Sequence, residues 1–253
     1  MRSGTQVTED VLNAGTKLKV VGRAGAGIDN IDVDAATRSG IIVMNTPGGN
    51  SVSTAEHSFG MIMALARNIP QGCATLKNGL WERSKLTGVE LRGKTLGIIG
   101  FGRLGNFMAK YAKAFGMKVF YYDPFKNSKN CKKTNLKRLF KISDVISIHA
   151  HVNDKTKHMI NKKIIRLARK KPIIINTSRG ELVNEKDIIW GLKNKKISGY
   201  GADVIEKEFI DIEKSPIIKN INKYNIIVTP HIGGMTYQGQ ERAYNYAINK
   251  IKK

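Results

Sequence analysis

Thr95-Leu96-Gly97-Ile98-Ile99-Gly100-Phe101-Gly102-Arg103-Leu104-Gly105 is a short apolar strand running into glycines 100, 102 and 105 at the spacing GxGxxG. A helix-like run, Leu104 to Phe115, follows, and then a second apolar strand, Lys118 to Tyr122. Each glycine has its own task in such a strand-turn-helix. Gly100 permits the tight turn, Gly102 lets the backbone approach a pyrophosphate, and Gly105 lets helix and strand pack closely. The unpaired N–H groups and positive end of the helix that opens near Arg103 suit the phosphates. Asp123 ends the second strand eighteen residues past Gly105. A carboxylate there accepts hydrogen bonds from ribose hydroxyls and repels an additional 2′-phosphate, so the expected dinucleotide is NAD.

Outward from this unit the alternation continues. Strands are expected at Val145 to Ile148, Ile173 to Asn176, Gly199 to Val204 and Ile226 to Thr229, with helices near Leu136 to Phe140, Lys162 to Ala168 and Glu185 to Leu192. Unbroken aliphatic strands separated by helices mean a parallel sheet covered on both faces, the doubly wound α/β arrangement. The first ninety residues read as a smaller α/β unit, with strands at Lys19 to Gly22 and Ile41 to Met44 and a helix from Asp34 to Ser39 closed by Gly40. Ser53 and Glu56 have capping-box spacing and are expected to open a long helix to Asn68, ended by Pro70. The methionines and His57 on that helix read as packing residues. The expected division is residues 1–90, a dinucleotide-binding domain over 91–235, and a terminal helix over 236–253 returning toward the first domain.

Composition narrows the class. The 253 residues are 41% hydrophobic, which is too apolar for disorder. No run approaches the roughly 20 apolar residues of a membrane span, and the N-terminus lacks an apolar signal region, so a cytoplasmic protein is expected. Two cysteines, Cys73 and Cys131, make neither a disulfide framework nor a metal site. The net charge of +23 is concentrated in residues 92–253, which hold 34 of the 43 cations. Such a field attracts polyanions, yet the cations are mostly lysine in short pairs with no aromatic residues between them. That layout fits a solvated surface rather than a nucleic-acid platform.

Three strand ends carry polar groups where a parallel sheet presents its ligand crevice: Asn176 to Gly180, Asp203 to Glu208, and Thr229 to Gly234. Arg179 can hold a substrate carboxylate and polarise its carbonyl with a fork of donors. His231 can move a hydroxyl proton near neutral pH, and Glu208 behind it would fix its tautomer. Together they suit hydride transfer at a 2-oxo or 2-hydroxy acid. Glu206 is a second candidate for the carboxylate, though position favours Glu208.

Val21 to Asn30, Met44-Asn45-Thr46-Pro47, Gly97 to Gly105, Asn176 to Gly180 and Pro230 to Gly234 resemble, in order, motifs of the D-isomer-specific 2-hydroxyacid dehydrogenase family. The resemblance implies His231 as acid/base, Glu208 as its partner, and Arg179 as the substrate-orienting cation. It implies Asp203 at the nicotinamide carboxamide and Arg103 and Leu104 at the pyrophosphate. Ala150, Thr177, Ser178, Gly233 and Gly234 would line the cofactor cleft. Gly25, Ala26 and Gly27 would hold the substrate carboxylate through backbone N–H groups, with Arg2 reaching a substrate phosphate. The helix from Ser53 would be a crossing helix. The implied activity is NAD-dependent oxidation of D-3-phosphoglycerate, opening serine biosynthesis, in a homodimer or homotetramer. A glyoxylate or hydroxypyruvate reductase, a D-lactate dehydrogenase or a non-catalytic NAD-binding corepressor are the alternatives. Against the family pattern, the chain starts partway into a flavodoxin-like substrate domain. Glu181 stands where glycine is common, Phe209 where proline often follows the glutamate, and His151 where proline is usual.

Overall fold

Neighbouring residues of a strand point to opposite faces, so a strand that is apolar throughout must have a core on each side. That is what the computed structural model contains, describing residues 1, 4–28, 30–208 and 210–251. In chain order the strands are β1 (Val20–Arg23), β2 (Ile42–Asn45), β3 (Thr95–Ile99), β4 (Lys118–Tyr122), β5 (Lys132–Lys133), β6 (Val145–Ile148), β7 (Ile173–Asn176), β8 (Gly199–Ala202) and β9 (Ile226–Val228). The helices are α1 (Glu9–Ala14), α2 (Val33–Arg38), α3 (Ser51–Ala66), α4 (Ile69–Lys77), α5 (Arg103–Ala114), α6 (Leu136–Ile142), α7 (Lys162–Ile165), α8 (Glu185–Lys193) and α9 (Tyr237–Ile251).

The chain divides into two units, Met1–Thr54 with Gly234–Lys253, and Ala55–Gly233. In the larger unit seven strands form one parallel sheet in the order β5-β4-β3-β6-β7-β8-β9. The order reverses at β3, where the chain passes from building toward β5 to building toward β9, and open α/β sheets bind ligands at such a switch point. Side chains alternate between two cores: Ile99, Ile146 and Ile174 enter one, while Ile98, Val145 and Ile175 enter the other. Ala55, Phe59, Ile62, Leu65 and Ala66 of α3 pack into the second core. Their spacing follows one helical stripe.

In the smaller unit β1 and β2 pair in parallel, Val20 opposite Ile42. Val21, Leu12, Ala35, Ala36 and Ile41 form its core. The buried face of α9 is Gly239, Ala243 and Ala247, small residues one helical turn apart. They allow close approach: a side chain on Gly49 would stand 3.0 Å from the Ala243 Cα, and one on Gly22 would meet Ile251. Lys250 donates to the Asn45 carbonyl at 3.1 Å.

Two expectations around α3 need correction. The helix starts at Ser51, so Ser53 lies inside it and caps nothing; its Oγ lies 2.7 Å from the Thr236 Oγ1 instead. Pro70 does not end a helix. Asn68 turns the chain with φ +52°, and Pro70 falls in the first turn of α4, where its missing N–H leaves no bond unmade.

Candidate active site

The glycine-rich turn is built as its spacing requires. Gly100 has φ +89°, and a Cβ there would collide with the carbonyl of His149 at the end of β6. A Cβ on Gly105 would collide with the Gly100 carbonyl, so that glycine sets the closeness of α5 to β3. Nothing lies within 4 Å of the position a Gly102 side chain would take, which leaves room for a ligand to reach the backbone. α5 opens on Gly102 without a side-chain cap and without an acidic residue in its first turn. Its positive end is thus left for an anion. Arg103 is exposed there, and Leu104 packs against the second core.

Asp123 clamps this turn. Its Oδ2 accepts from the Phe101 N–H at 2.7 Å, and its Oδ1 from Phe125 and Lys126 at 2.8 and 2.9 Å. Burial alone would raise this carboxyl, but these three bonds and nearby Lys133 outweigh it and hold the group below the ordinary carboxylate range. Two carboxylate oxygens offer about four acceptor positions, so one remains for a ribose hydroxyl. Beside Gly100, His149 has its Nε2 2.8 Å from the Ser147 Oγ and a buried Nδ1 that no protein group meets. Burial pushes its imidazole down to about 3, so it is neutral. An unmet polar atom, an open glycine, an uncapped helix and an ionised aspartate fit a bound dinucleotide. His149 is the one of these that residue patterns did not single out, although its place at a strand's carboxyl end pointed to it.

The carboxyl ends of β7, β8 and β9 carry the remaining groups. Glu208 and His231 meet: His231 Nδ1 is 2.6 Å from Glu208 Oε1. Glu206 is instead engaged by His158, at 3.3 Å, so the geometry assigns the carboxylate partner to Glu208. His231 adopts a left-handed backbone, φ +54°, and its N–H donates to the carbonyls of Asp203 and Thr229, both at 2.9 Å. Arg179 follows β7, its Nη1 donating to the Ser178 carbonyl at 2.7 Å. Ser178 Oγ donates to Ile148 at 2.8 Å, and Thr177 Oγ1 lies 2.8 Å from Ser58 Oγ on α3. Ala150 is half-buried just past β6.

Several expected roles are narrowed. Asp203 is 1% exposed, and its carboxylate accepts from Thr229 Oγ1, the Ile232 N–H and the Gly233 N–H at 2.6, 2.9 and 2.8 Å. His57 Nε2 stands 3.4 Å from the Asp203 Oδ1 and takes up the remaining acceptor capacity. Burial would raise this carboxyl, but His57, Thr229, Gly233 and Ile232 together hold it below its usual range. The Gly233 N–H is likewise spent on Asp203, and Gly234 begins the return into the smaller unit. In that unit the Gly25 N–H donates to Arg23 at 3.0 Å, which spends one of the three donors assigned to a substrate carboxylate. The Ala26 carbonyl accepts from Asn45 at 2.7 Å, and Gly27 is half-buried beside it. Arg2 and Phe209 lie outside the described residues. His57, expected as packing, is a hydrogen-bonding member of the larger unit: its Nε2 is 2.9 Å from the Thr229 Oγ1. No local signal marked it, since Ser51, Ser53, Thr54, Glu56 and Ser58 make the first half of this helix largely polar.

A doubly wound sheet with this turn at its switch point and an imidazole–carboxylate pair at its carboxyl edge defines a dinucleotide-binding protein equipped for proton transfer. Residues 59–233 match the D-isomer specific 2-hydroxyacid dehydrogenase, NAD binding domain. The chain belongs to the D-isomer specific 2-hydroxyacid dehydrogenase family, and these residues are its NAD-binding domain. It is 44% identical over 259 residues to the D-3-phosphoglycerate dehydrogenase of Methanocaldococcus jannaschii, covering 100% of this chain and 48% of that protein. It is 42% identical over 255 residues to the hydroxypyruvate reductase of Thermotoga maritima, covering 100% of this chain and 83% of the relative. The crystal structure of D-lactate dehydrogenase from Aquifex aeolicus, complexed with NAD and lactic acid, superposes with a TM-score of 0.84 at 35% identity, over 98% of this chain and 79% of that one. The chain spans about half the length of the curated D-3-phosphoglycerate dehydrogenases it matches. Among the described residues no helix is long and apolar enough to cross a membrane.

Proposed function

We propose that the protein oxidises D-3-phosphoglycerate to 3-phosphohydroxypyruvate with NAD, the step that opens serine biosynthesis. The observation that carries the chemistry is the 2.6 Å contact between Glu208 and His231 Nδ1. A carboxylate only accepts, so Nδ1 bears the proton and the neutral ring presents its lone pair at Nε2. That nitrogen is the base for the C2 hydroxyl proton. The hydride leaves the same carbon as the carbonyl forms, and the resulting imidazolium is stabilised by Glu208 before its proton passes to solvent. Bound NAD supplies the hydride acceptor. Arg179 holds the substrate carboxylate and the oxygen that becomes the carbonyl. The family's homodimer or homotetramer is the proposed assembly.

The choice of substrate is supported by the relatives described as D-3-phosphoglycerate dehydrogenases, at 40–44% identity. The hydroxypyruvate reductase relative supports the competing choice. Purified protein is assayed with NADH and 3-phosphohydroxypyruvate, hydroxypyruvate, glyoxylate and pyruvate, following the loss of NADH absorbance. The highest kcat/KM is expected with 3-phosphohydroxypyruvate. A preference for hydroxypyruvate or glyoxylate overturns the phosphoglycerate assignment, and turnover of none of them overturns the dehydrogenase reading.

A further inference from the structure

Thr229 sits between two groups that constrain it. Its hydroxyl has a single proton, and at 2.6 Å from Asp203 Oδ1 that proton is committed, because an ionised carboxylate cannot donate. Toward His57 Nε2, 2.9 Å away, the same oxygen can only accept. The proton between them therefore belongs to His57, which fixes its ring with hydrogen on Nε2; the same N–H lies 3.4 Å from Asp203 Oδ1. Asp203 in turn holds the segment carrying His231. Its carboxylate takes the Ile232 and Gly233 N–H groups, and its backbone carbonyl takes the His231 N–H. The segment needs such restraint, since His231 is a non-glycine residue at φ +54°.

We propose that His57 is a positioning residue for His231, acting through Thr229 and Asp203 to hold the catalytic imidazole in its left-handed backbone setting against Glu208. This deepens the dehydrogenase reading and rests on it for its consequence in turnover. Helix α3 supplies a rigid base for the relay. Ser58 beside Thr177, at 2.8 Å, makes a second tie from the same turn of α3 to the loop that bears Arg179. His57 itself touches no reacting atom in this scheme. Its removal should therefore lower kcat while leaving substrate KM and cofactor affinity in place.

The test compares His57→Leu with His57→Gln in the full chain. Glutamine places an amide N–H donor where Nε2 stands, and leucine fills the space without one. Loss of one charge-linked hydrogen bond is expected to lower kcat about tenfold in His57→Leu, with KM and NADH affinity unchanged, and His57→Gln should recover most of the rate. A leucine variant at wild-type kcat overturns the proposal, as does a glutamine variant as slow as leucine. A readout independent of turnover is the NMR resonance of the His231 Nδ1 proton shared with Glu208. It should shift in His57→Leu and return in His57→Gln; an unmoved resonance overturns the proposal. If wild-type protein turns over no oxo acid, the dehydrogenase reading fails, while this resonance still decides whether His57 positions His231.

Discussion

Gly180 lies directly against the backbone of Ile205: a Cβ at position 180 would collide with the Ile205 carbonyl group and the Glu206 N–H. The loop after β7, with Arg179, and the loop after β8, leading to Glu208, are thereby brought together by the lack of a side chain. The glycine of Ser178-Arg179-Gly180 is a spacing device for the site. Gly180→Ala is expected to cost about 1–3 kcal/mol of stability, as insertion into a packed contact does. It should also lower kcat/KM for the oxo acid more than it weakens NADH binding, because the glycine-rich turn follows β3, which β6 separates from β7 and β8 in the sheet. Urea denaturation and steady-state kinetics on the one variant measure both.

His231→Ala removes the proposed proton acceptor and should reduce turnover by about two to four orders of magnitude. The groups that fit the dinucleotide, Gly102, Asp123 and the start of α5, are untouched. NADH titrated by fluorescence should therefore bind as in the wild type. A variant at full rate would remove His231 from the chemistry.

Asp123→Asn keeps one acceptor oxygen for the clamp on Phe101 but loses the negative charge. Affinity for NAD should fall about tenfold, the loss expected for one charge-assisted hydrogen bond. Affinity for NADP should fall less or rise, since the repulsion of its 2′-phosphate is relieved. The ratio of the two dissociation constants is the measurement, and an unchanged ratio would deny Asp123 the role of cofactor selector.

The legibility of the sequence followed the strength of the local constraint. β4, β6 and β7 have the bounds expected for them, because their runs of β-branched and aromatic residues are flanked by the glycine, proline, serine and aspartate residues that break strands. The GxGxxG turn was equally legible, since each glycine answers a separate steric demand. The Glu208–His231 pair was readable through strand order and family resemblance, and the choice over Glu206, already favoured by position, agrees with His158 lying on the latter. Ser53 and Pro70 misled because local signals admit two placements: a capping-box serine can fall inside a helix, and a proline can start one. His57 was misread for another reason. Its role depends on a partner 172 residues away in sequence, Thr229, and no local pattern encodes such a pairing.

His149, whose Nδ1 is buried, and the buried Asp203 contribute to the acid limb of stability in separate windows. His149 is neutral in the folded chain, pushed down from 6.5 to about 3 by burial. The unfolded chain therefore binds a proton that the native chain refuses once the pH falls below 6.5, and stability declines from there toward pH 3. Asp203 is held below its ordinary 3.8 by its hydrogen bonds against the cost of burial. Its contribution is full above that value and is lost as the pH falls through the lower folded value. Both signs agree: acid destabilises. Urea midpoints taken from about pH 7 down to about pH 3 should fall in the wild type. His149→Asn, which cannot titrate, should flatten the limb between 6.5 and about 3, and Asp203→Asn should flatten only the part below 3.8. A His149→Asn curve parallel to the wild type across the upper window would mean that His149 is protonated in the native state, and the neutral imidazole beside Gly100 would have to be given up.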